Sequence, residues 1–360
     1  MSINPSSSIL FDRYSSEHGE AVPIQKPKTE GVPRAIKTIS EQQERGFSAK
    51  KYLIAAFVCA AIAGALFAFC LPASIVFMTI SGWYLWSALV IPLNRAAEGT
   101  RFETPLHRCF AFAMEINSLV TAALLFPLTW LNQYHRPPGA LKGRPILMVN
   151  GYLSYGSTWD YQRKELAKKG LGPIYTMNVG SGKSITSYAE QVRNTVNRIK
   201  QETGRNDVVL IGHSKGGLVC SDYATRLANQ DGTRITDVVT IGSPLAGTPV
   251  AFIGPGYDAG EMRPNTVFNQ QLRDNIKKHP EIRFFNIASQ ADEVVPFKSA
   301  LIKGNDPSRQ LILKDLGHLS LVFSSRVADQ TASWLMERGW SFNNSKIGLI
   351  LSRVYDLLVF

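Results

Sequence analysis

The chain has 360 residues, enough for one large domain or two smaller ones, and its 45% hydrophobic content excludes a wholly disordered protein. The formal net charge of +11 raises the question of nucleic-acid binding. However, the Lys and Arg residues are scattered, without a long basic run or an aromatic-interleaved platform. We therefore expect no nucleic-acid partner and interpret the basic balance as a surface that faces anionic lipid.

The first 49 residues predict a disordered tail. They mix Ser, Pro, Gly, Glu and Lys with few large apolar residues, so they bury too little surface to offset the entropy of folding. The pattern differs from a secretory signal peptide, because the basic residues are not followed at once by a short apolar stretch and a small-residue cleavage site.

Residues 50–136 predict a helical membrane region. An uncharged run extends from Tyr52 to Leu71, and a second one extends from Ser74 to Leu93. Each run is long enough to cross the hydrocarbon core of a bilayer, so together they predict a helical hairpin over residues 52–93. Membrane lipids are expected partners of this region.

A third apolar segment, residues 109–131, is interrupted by Glu115 and Asn117 and could either span the bilayer or lie at its interface. The side of the membrane on which the catalytic domain lies depends on this choice. Basic residues flank the hairpin on both sides, which predicts cytoplasmic ends for it. These residues are Lys50, Lys51, Arg95 and Arg101. The basic residues that follow the third segment favour the cytoplasmic face for the domain as well.

From residue 137 to 340, short apolar strands alternate with helical stretches, a pattern that predicts an α/β domain with a mostly parallel sheet. The predicted strands are Ile146–Val149, Ile174–Val179, Val208–Ile211, Val238–Ile241, Phe284–Ala288 and Leu311–Leu313. The predicted helices are Thr158–Lys169, Ile185–Glu202, Gly216–Ala228, Val267–Lys278 and Leu319–Glu337. Residues 341–360 predict an apolar C-terminal helix, either packed or interfacial.

The stretch Val208–Gly217 predicts a buried strand that runs directly into a serine on a tight turn. Gly212, Ser214 and Gly216 form a G-x-S-x-G pattern. Small residues two positions either side of the serine let the neighbouring backbone approach a nucleophile elbow without clash. Ser214 is therefore the candidate nucleophile. The alternative is an ordinary glycine-rich turn between a strand and a helix.

A serine nucleophile needs a base, and in this topology the chain order is Ser, acid, His. Two histidines follow Ser214. His318 comes after the last predicted strand, at the sheet edge where the serine lies, and is the candidate base. His279 lies in a polar loop and is interpreted as a solvated surface residue. His213, next to the serine, is expected to pack in the core.

The orienting carboxylate is expected after the strand Phe284–Ala288, where two acidic residues occur. Asp292 is preferred because it comes directly off the strand end, whereas Glu293 is one residue further and is expected to face elsewhere. Asp306 and Asp315 are interpreted as turn formers.

A tetrahedral intermediate also needs two backbone donors at the developing oxyanion. The Lys215 N–H follows the nucleophile and supplies one donor. The turn after the first strand, with Gly151, makes the Tyr152 N–H the candidate for the other.

The stretch Gly180–Ser184 follows a strand and precedes a helix, as a phosphate-binding loop does. The full pattern requires glycine at position 177, where Met177 stands, so nucleotide binding is not expected. No metal site and no cofactor are predicted. The cysteines have no metal-like spacing and are expected to be reduced, buried and structural. They are Cys59, Cys70, Cys109 and Cys220.

Over roughly residues 144–340 the chain resembles the α/β-hydrolase fold and, within it, the bacterial lipase and esterase group. The motifs that carry the resemblance are Pro145–Tyr152, Gly212–Gly217, Ile241–Pro249, Asp292 with Val295 and Pro296, and Gly317–His318. The resemblance implies that the matching Ser214, Asp292 and His318 form a catalytic triad. It also implies a mobile segment that covers the site, here about Val250 to Arg273.

Two positions depart from the family pattern. Asn150 stands where histidine usually precedes the glycine of the oxyanion turn, and Lys215 stands where Met or Gln commonly follows the nucleophile. Neither change removes a backbone N–H, so the oxyanion hole is expected to survive. Asn150 is expected to support the turn by hydrogen bonding, and Lys215 to add a charge near the site.

Together these features predict a membrane-anchored serine hydrolase that cleaves carboxylic esters. A membrane location favours lipid esters as substrates: acylglycerols, phospholipids or sterol esters. An acyltransferase or a thioesterase would use the same triad, and a membrane interaction protein could be built on a hydrolase fold without turnover. These alternatives are left open by the sequence.

Overall fold

The computed structural model describes residues 49–67, 78, 80–82, 84–85, 105–125, 134–135 and 143–336. Most of the predicted tail, most of the second run of the hairpin and the predicted C-terminal helix lie outside these residues.

The described helices are α1 (Ala49–Phe67), α2 (Pro105–Leu125), α3 (Asp160–Lys168), α4 (Ile185–Thr203), α5 (Lys215–Asp222), α6 (Tyr257–Glu261), α7 (Val267–Lys278) and α8 (Ser325–Met336). The strands are β1 (Tyr134–His135), β2 (Ile146–Val149), β3 (Ile174–Met177), β4 (Asp207–His213), β5 (Arg234–Ile241), β6 (Arg283–Ser289) and β7 (Gln310–Leu313). They form one sheet in the order β1-β3-β2-β4-β5-β6-β7. Strands β2 to β7 are parallel, and β1 is antiparallel to β3.

Strands β2, β3, β4 and β6 are almost completely buried on both faces of the sheet, whereas the edge strand β7 is partly exposed. Successive side chains of a strand point to opposite faces, and in β2 they enter two different hydrophobic clusters. Ile146 and Met148 belong to one cluster, whereas Leu147 and Val149 belong to the other. This explains why the strands have continuous apolar sequences rather than alternating ones.

Each of the six predicted strands is present, and the predicted mostly parallel sheet is confirmed. The edge strand β1 was not predicted. It lies before the predicted start of the catalytic domain at residue 137 and pairs Tyr134 with Met177. Two residues are too few to give a periodic pattern, so the sequence carried no signal for it.

The ends of the long helix α4 follow from local capping. The Ser184 hydroxyl accepts a hydrogen bond from the Ser187 N–H at 3.1 Å, and Gly204 ends the helix with a φ of 68°. The helix after the nucleophile was predicted to run to Ala228. Instead α5 ends at Asp222, and the chain continues as a π-helical turn over Tyr223–Leu227.

No helix within the described residues is long and apolar enough to cross a membrane. The third predicted segment forms α2, and one side of it packs against the α/β domain. Met114, Glu115 and Ser118 are buried there, and Phe110 contacts the cluster that contains Met148. From its sequence, this segment was expected to span the bilayer or to lie at its interface, and neither expectation included packing against the α/β domain.

Candidate active site

Ser214 lies at the tight turn between β4 and α5, in a conformation that few residues adopt. Its φ is 53° and its ψ is −126°, and its N–H donates to the Ile241 carbonyl at 2.8 Å. A Cβ atom at Gly212 would collide with the backbone of Gly216, and one at Gly216 would collide with the Val149 carbonyl. The two glycines are therefore required by the close approach of backbone on both sides of the serine.

His318 and Asp292 are hydrogen-bonded to each other. The His318 Nδ1 lies 2.9 Å from the Asp292 Oδ2, and the aspartate is almost completely buried. The other oxygen, Oδ1, accepts from the N–H groups of Val294 and Val295, both at 2.8 Å. These two bonds fix the carboxylate so that its second oxygen faces the imidazole.

The pKa of His318 is raised above its ordinary value. Burial, the largest single influence, lowers it, but the charge and hydrogen bond of Asp292 and the charge of Glu115 together outweigh that effect. The imidazolium is thus stabilised at the position where a general base would hold a proton.

Ser214 and His318 face the same cavity, which has a volume of about 440 Å³. Its wall is mainly apolar. The apolar lining residues include Leu119, Val250, Ala251, Met262, Val294 and Leu319. Residues from the predicted covering segment and from α2 both contribute to this wall, so parts of the chain outside the sheet help to form the cavity.

The turn after β2 places Tyr152 next to the serine. A Cβ atom at Gly151 would lie 3.0 Å from the Ser214 Cβ, so this turn passes directly against the nucleophile elbow. Asn150 supports the turn as expected: its amide donates to the Ser154 carbonyl and its Oδ1 accepts from the Val179 N–H at 2.7 Å.

The Lys215 side chain is fully buried and forms an ion pair with Asp258 of α6. The distance from Nζ to Oδ2 is 2.9 Å, and Nζ also donates to the Gly180 carbonyl and lies 4.4 Å from the centre of the Tyr188 ring. Burial lowers the pKa of Lys215, and the bond to Asp258 opposes that shift. The expected extra charge near the site is therefore neutralised by a residue of the covering segment.

The rejected candidates have other partners. His213 is buried, its Nε2 lies 3.1 Å from the His318 carbonyl, and burial holds its pKa well below the ordinary value. His279 bonds the Asn275 carbonyl at the end of α7. Asp306 accepts from the Ser308 N–H in a turn, as predicted. Asp315 instead forms a buried ion pair with Arg326, at 2.9 Å, so its interpretation as a turn former was incomplete.

Two carboxyl groups near His318 have roles that the sequence did not predict: Glu115 was given no role, and Glu293 was expected to face elsewhere. Glu115 of α2 accepts from the N–H groups of Leu319 and Ser320, and Glu293 accepts from the N–H of His318. A single acidic residue within an otherwise apolar helix was the available signal. It indicated an interruption of the apolar segment but gave no partner.

Residues 175–306 match the family model of the PGAP1-like alpha/beta domain. Together with the sheet order, this match confirms the predicted α/β-hydrolase fold.

Several solved structures are similar to the chain. Mature Bacillus licheniformis lipase BlEst2 is 18% identical, with 56% of this chain and 92% of that chain covered and a TM-score of 0.44. Aspergillus fumigatus lipase B is 14% identical, with 87% and 82% covered and a TM-score of 0.49. Phospholipase PlaB from Legionella pneumophila is 13% identical, with 44% and 46% covered and a TM-score of 0.40.

Proposed function

We propose that the chain is a carboxylic ester hydrolase that uses Ser214, His318 and Asp292 as a catalytic triad. The observation that carries the proposal is the 2.9 Å bond between His318 and Asp292, made at the wall of the cavity that the strained Ser214 also faces. The chain order Ser, acid, His, which is that of a triad in this topology, also supports the proposal.

In the proposed reaction, the Ser214 Oγ attacks the acyl carbon while the His318 Nε2 takes its proton. Asp292 accepts the Nδ1–H, which holds the tautomer that leaves Nε2 free as a base. The imidazolium then gives the proton to the leaving alcohol, and an acyl-enzyme on Ser214 forms. Water, deprotonated by the same histidine, hydrolyses this ester and regenerates the serine.

The negative charge that develops on the carbonyl oxygen needs donors already in place. We assign this role to the backbone N–H groups of Lys215 and Tyr152. The chain position of Lys215, directly after Ser214, and the close passage of Gly151 by the Ser214 Cβ support the assignment.

Lipid esters are the proposed substrates. The apolar wall of the cavity suits an acyl chain, since most of a bound ligand's surface is buried against such side chains. Attachment to a membrane would place the site where these lipids occur. The exposed apolar residues of α1 support attachment, because contiguous exposed apolar surface marks an interaction site. They are Leu53, Ile54, Phe57, Val58 and Ile62.

We propose that the attached domain faces the cytoplasm, on the basis of the basic residues around the hairpin and of those that follow the third apolar segment. Membrane fractionation with alkaline extraction tests attachment, and protease accessibility in sealed vesicles tests the side. Recovery of the whole chain in the soluble fraction would argue against any anchor.

A fluorophosphonate probe tests the proposed nucleophile. We expect the full-length protein to be labelled and Ser214→Ala to remain unlabelled. Ser221→Ala is the matched control, because Ser221 is buried in α5, the helix that follows Ser214, and its hydroxyl donates to the Gly217 carbonyl of that helix at 2.7 Å. If folded Ser214→Ala is labelled as strongly as the wild type, the proposal is refuted.

A panel of esters and lipids, incubated in detergent micelles with the wild type and with Ser214→Ala, tests the substrate class. Turnover that depends on Ser214 and prefers long acyl chains is the expected result. An alcohol acceptor in the same assay reports transfer: a new ester product in place of free acid would favour an acyltransferase. Equal rates in both proteins would reject the mechanism.

Because the pKa of His318 is raised, we expect kcat/KM to begin to fall at a higher pH than it would with an ordinary histidine. The base must be neutral to accept the serine proton, so activity is lost as the pH falls through the pKa of His318. We expect the midpoint of this limb in kcat/KM to lie above about 6.5, the ordinary histidine value. A profile that stays flat well below that pH would contradict the assignment of His318.

A further inference from the structure

Glu115 is the only acidic residue in the sequence of α2, and its side chain is almost completely buried. A buried carboxylate is costly unless hydrogen bonds compensate for the lost water. The bonds that compensate it come from the loop that carries His318. Oε1 accepts from the Leu319 N–H at 2.8 Å, and Oε2 accepts from the Ser320 N–H at 2.9 Å.

Glu293 completes the same arrangement from the other side. Its Oε2 accepts from the N–H of His318 at 3.1 Å, so two carboxyl groups hold three consecutive backbone N–H groups of the loop. The pKa of Glu293 is raised well above its ordinary value by burial, then by the charges of Glu115 and Asp292. These influences favour the protonated form of Glu293, whose side chain is hydrogen-bonded to Glu115.

Gly317 allows this close approach. A Cβ atom there would collide with the Glu115 carboxylate and would lie 2.9 Å from the Glu293 Oε2. The glycine that precedes His318 is thus required by the carboxyl pair and not only by the turn. The loop backbone, the pair and α2 fit together at the wall of the cavity that Ser214 faces.

We propose that Glu115 is a positioning residue of the hydrolase: from a helix outside the sheet domain, it sets the backbone of the loop that presents His318 to Ser214. The inference rests on the proposed function of that triad and deepens it. Asp292 orients the imidazole ring, whereas Glu115 places the main chain from which the ring projects. The region before the domain is then part of the active site as well as a candidate anchor.

Substitution of Glu115 in the full-length protein tests the role. Glu115→Ala removes the acceptor of the Leu319 and Ser320 N–H groups. We expect kcat to fall about 10²-fold with the KM of a short ester little changed, as for a reacting group displaced by about 1 Å. Glu115→Gln keeps one acceptor oxygen and should be intermediate, and it replaces Glu115→Ala if that variant does not fold. The fluorophosphonate labelling rate should follow the same order.

Ser118→Ala is the matched control. Ser118 is buried on the same helix, and its hydroxyl donates only to the Met114 carbonyl within the helix, at 2.7 Å. We expect kcat and labelling at the wild-type level. If Glu115→Ala and Glu115→Gln lose no more activity than this control, the positioning role is overturned.

A titration of His318 separates this inference from the proposed function, because it needs no turnover. The charged and titratable groups facing the imidazole are Asp292, Glu115, Glu293 and His213. NMR would measure the titration midpoint of His318 in two variants that both carry Ser214→Ala. One also carries Glu293→Gln, which mimics the protonated carboxyl, and the other carries Glu293→Gln together with Glu115→Gln. Loss of the Glu115 charge should move the midpoint to lower pH. Equal midpoints in the two variants would overturn the inference about Glu115 even if the hydrolase proposal holds. A shifted midpoint in a protein without Ser214-dependent activity would reject the hydrolase proposal and not the role of Glu115.

Discussion

Replacement of Asp292 by asparagine should reduce kcat about 10⁴-fold while the protein remains folded. The asparagine Oδ1 can still accept from the N–H groups of Val294 and Val295, which hold the carboxylate at 2.8 Å. Its amide nitrogen then faces the His318 Nδ1, where Asp292 Oδ2 now accepts at 2.9 Å. An amide donor there favours the imidazole tautomer with the proton on Nε2, which cannot take the serine proton.

Steady-state kinetics on one short ester, with a thermal melt of each protein, measure this effect. Asp306→Asn is the control, because Asp306 caps a surface turn that asparagine also caps, by accepting from the Ser308 N–H. Its kcat should equal that of the wild type. An Asp292→Asn variant that keeps kcat within about tenfold of the wild type would exclude Asp292 as the orienting carboxylate.

Loss of Asp258 should cost about 3–5 kcal/mol in the free energy of unfolding. Its partner Lys215 has no exposed side-chain surface, so Asp258→Ala leaves a buried ammonium without its counter-ion. The aspartate also accepts from the N–H groups of Gly182 and Ala259, at 3.0 and 3.1 Å, and these donors would lose their acceptor. Urea unfolding followed by circular dichroism measures the change.

The double variant Lys215→Met/Asp258→Leu should recover most of the lost stability, because apolar residues of similar volume often replace a buried pair without penalty. The exposed pair Lys277 and Asp274, whose N···O distance is 3.3 Å, is the control. Asp274→Ala should change the free energy of unfolding by less than about 1 kcal/mol. If the double variant is as unstable as Asp258→Ala, the unpaired charge is not the cause.

Local patterns predicted the sheet and the elbow well. Apolar runs of three to six residues identified the six parallel strands, because a strand covered on both faces carries few polar residues. The spacing of Gly212, Ser214 and Gly216 predicted a turn whose backbone contacts now require those glycines. His318 and Asp292 followed from chain order, since the carboxyl ends of parallel strands meet at one edge of the sheet.

The contacts that complete the site depend on pairs far apart in the chain, which no local pattern encodes. Lys215 was recognised as unusual, but its partner Asp258 lies 43 positions later, in a segment predicted only as a mobile cover. Glu115 was read as an interruption in an apolar segment. Its acceptor role becomes visible only when α2 is placed against the loop after β7.

The bond between Glu115 and Leu319 also has a consequence for biosynthesis. Leu319 lies 204 positions after Glu115. At synthesis rates of about 5–20 residues per second, Leu319 is therefore added about 10–40 s after Glu115. During that interval the nascent chain contains the serine turn but neither the base nor the loop that presents it. Under the proposed mechanism, a ribosome stalled before residue 318 would therefore hold a chain that cannot yet attack an ester, and hydrolysis would begin only after this loop has been synthesised.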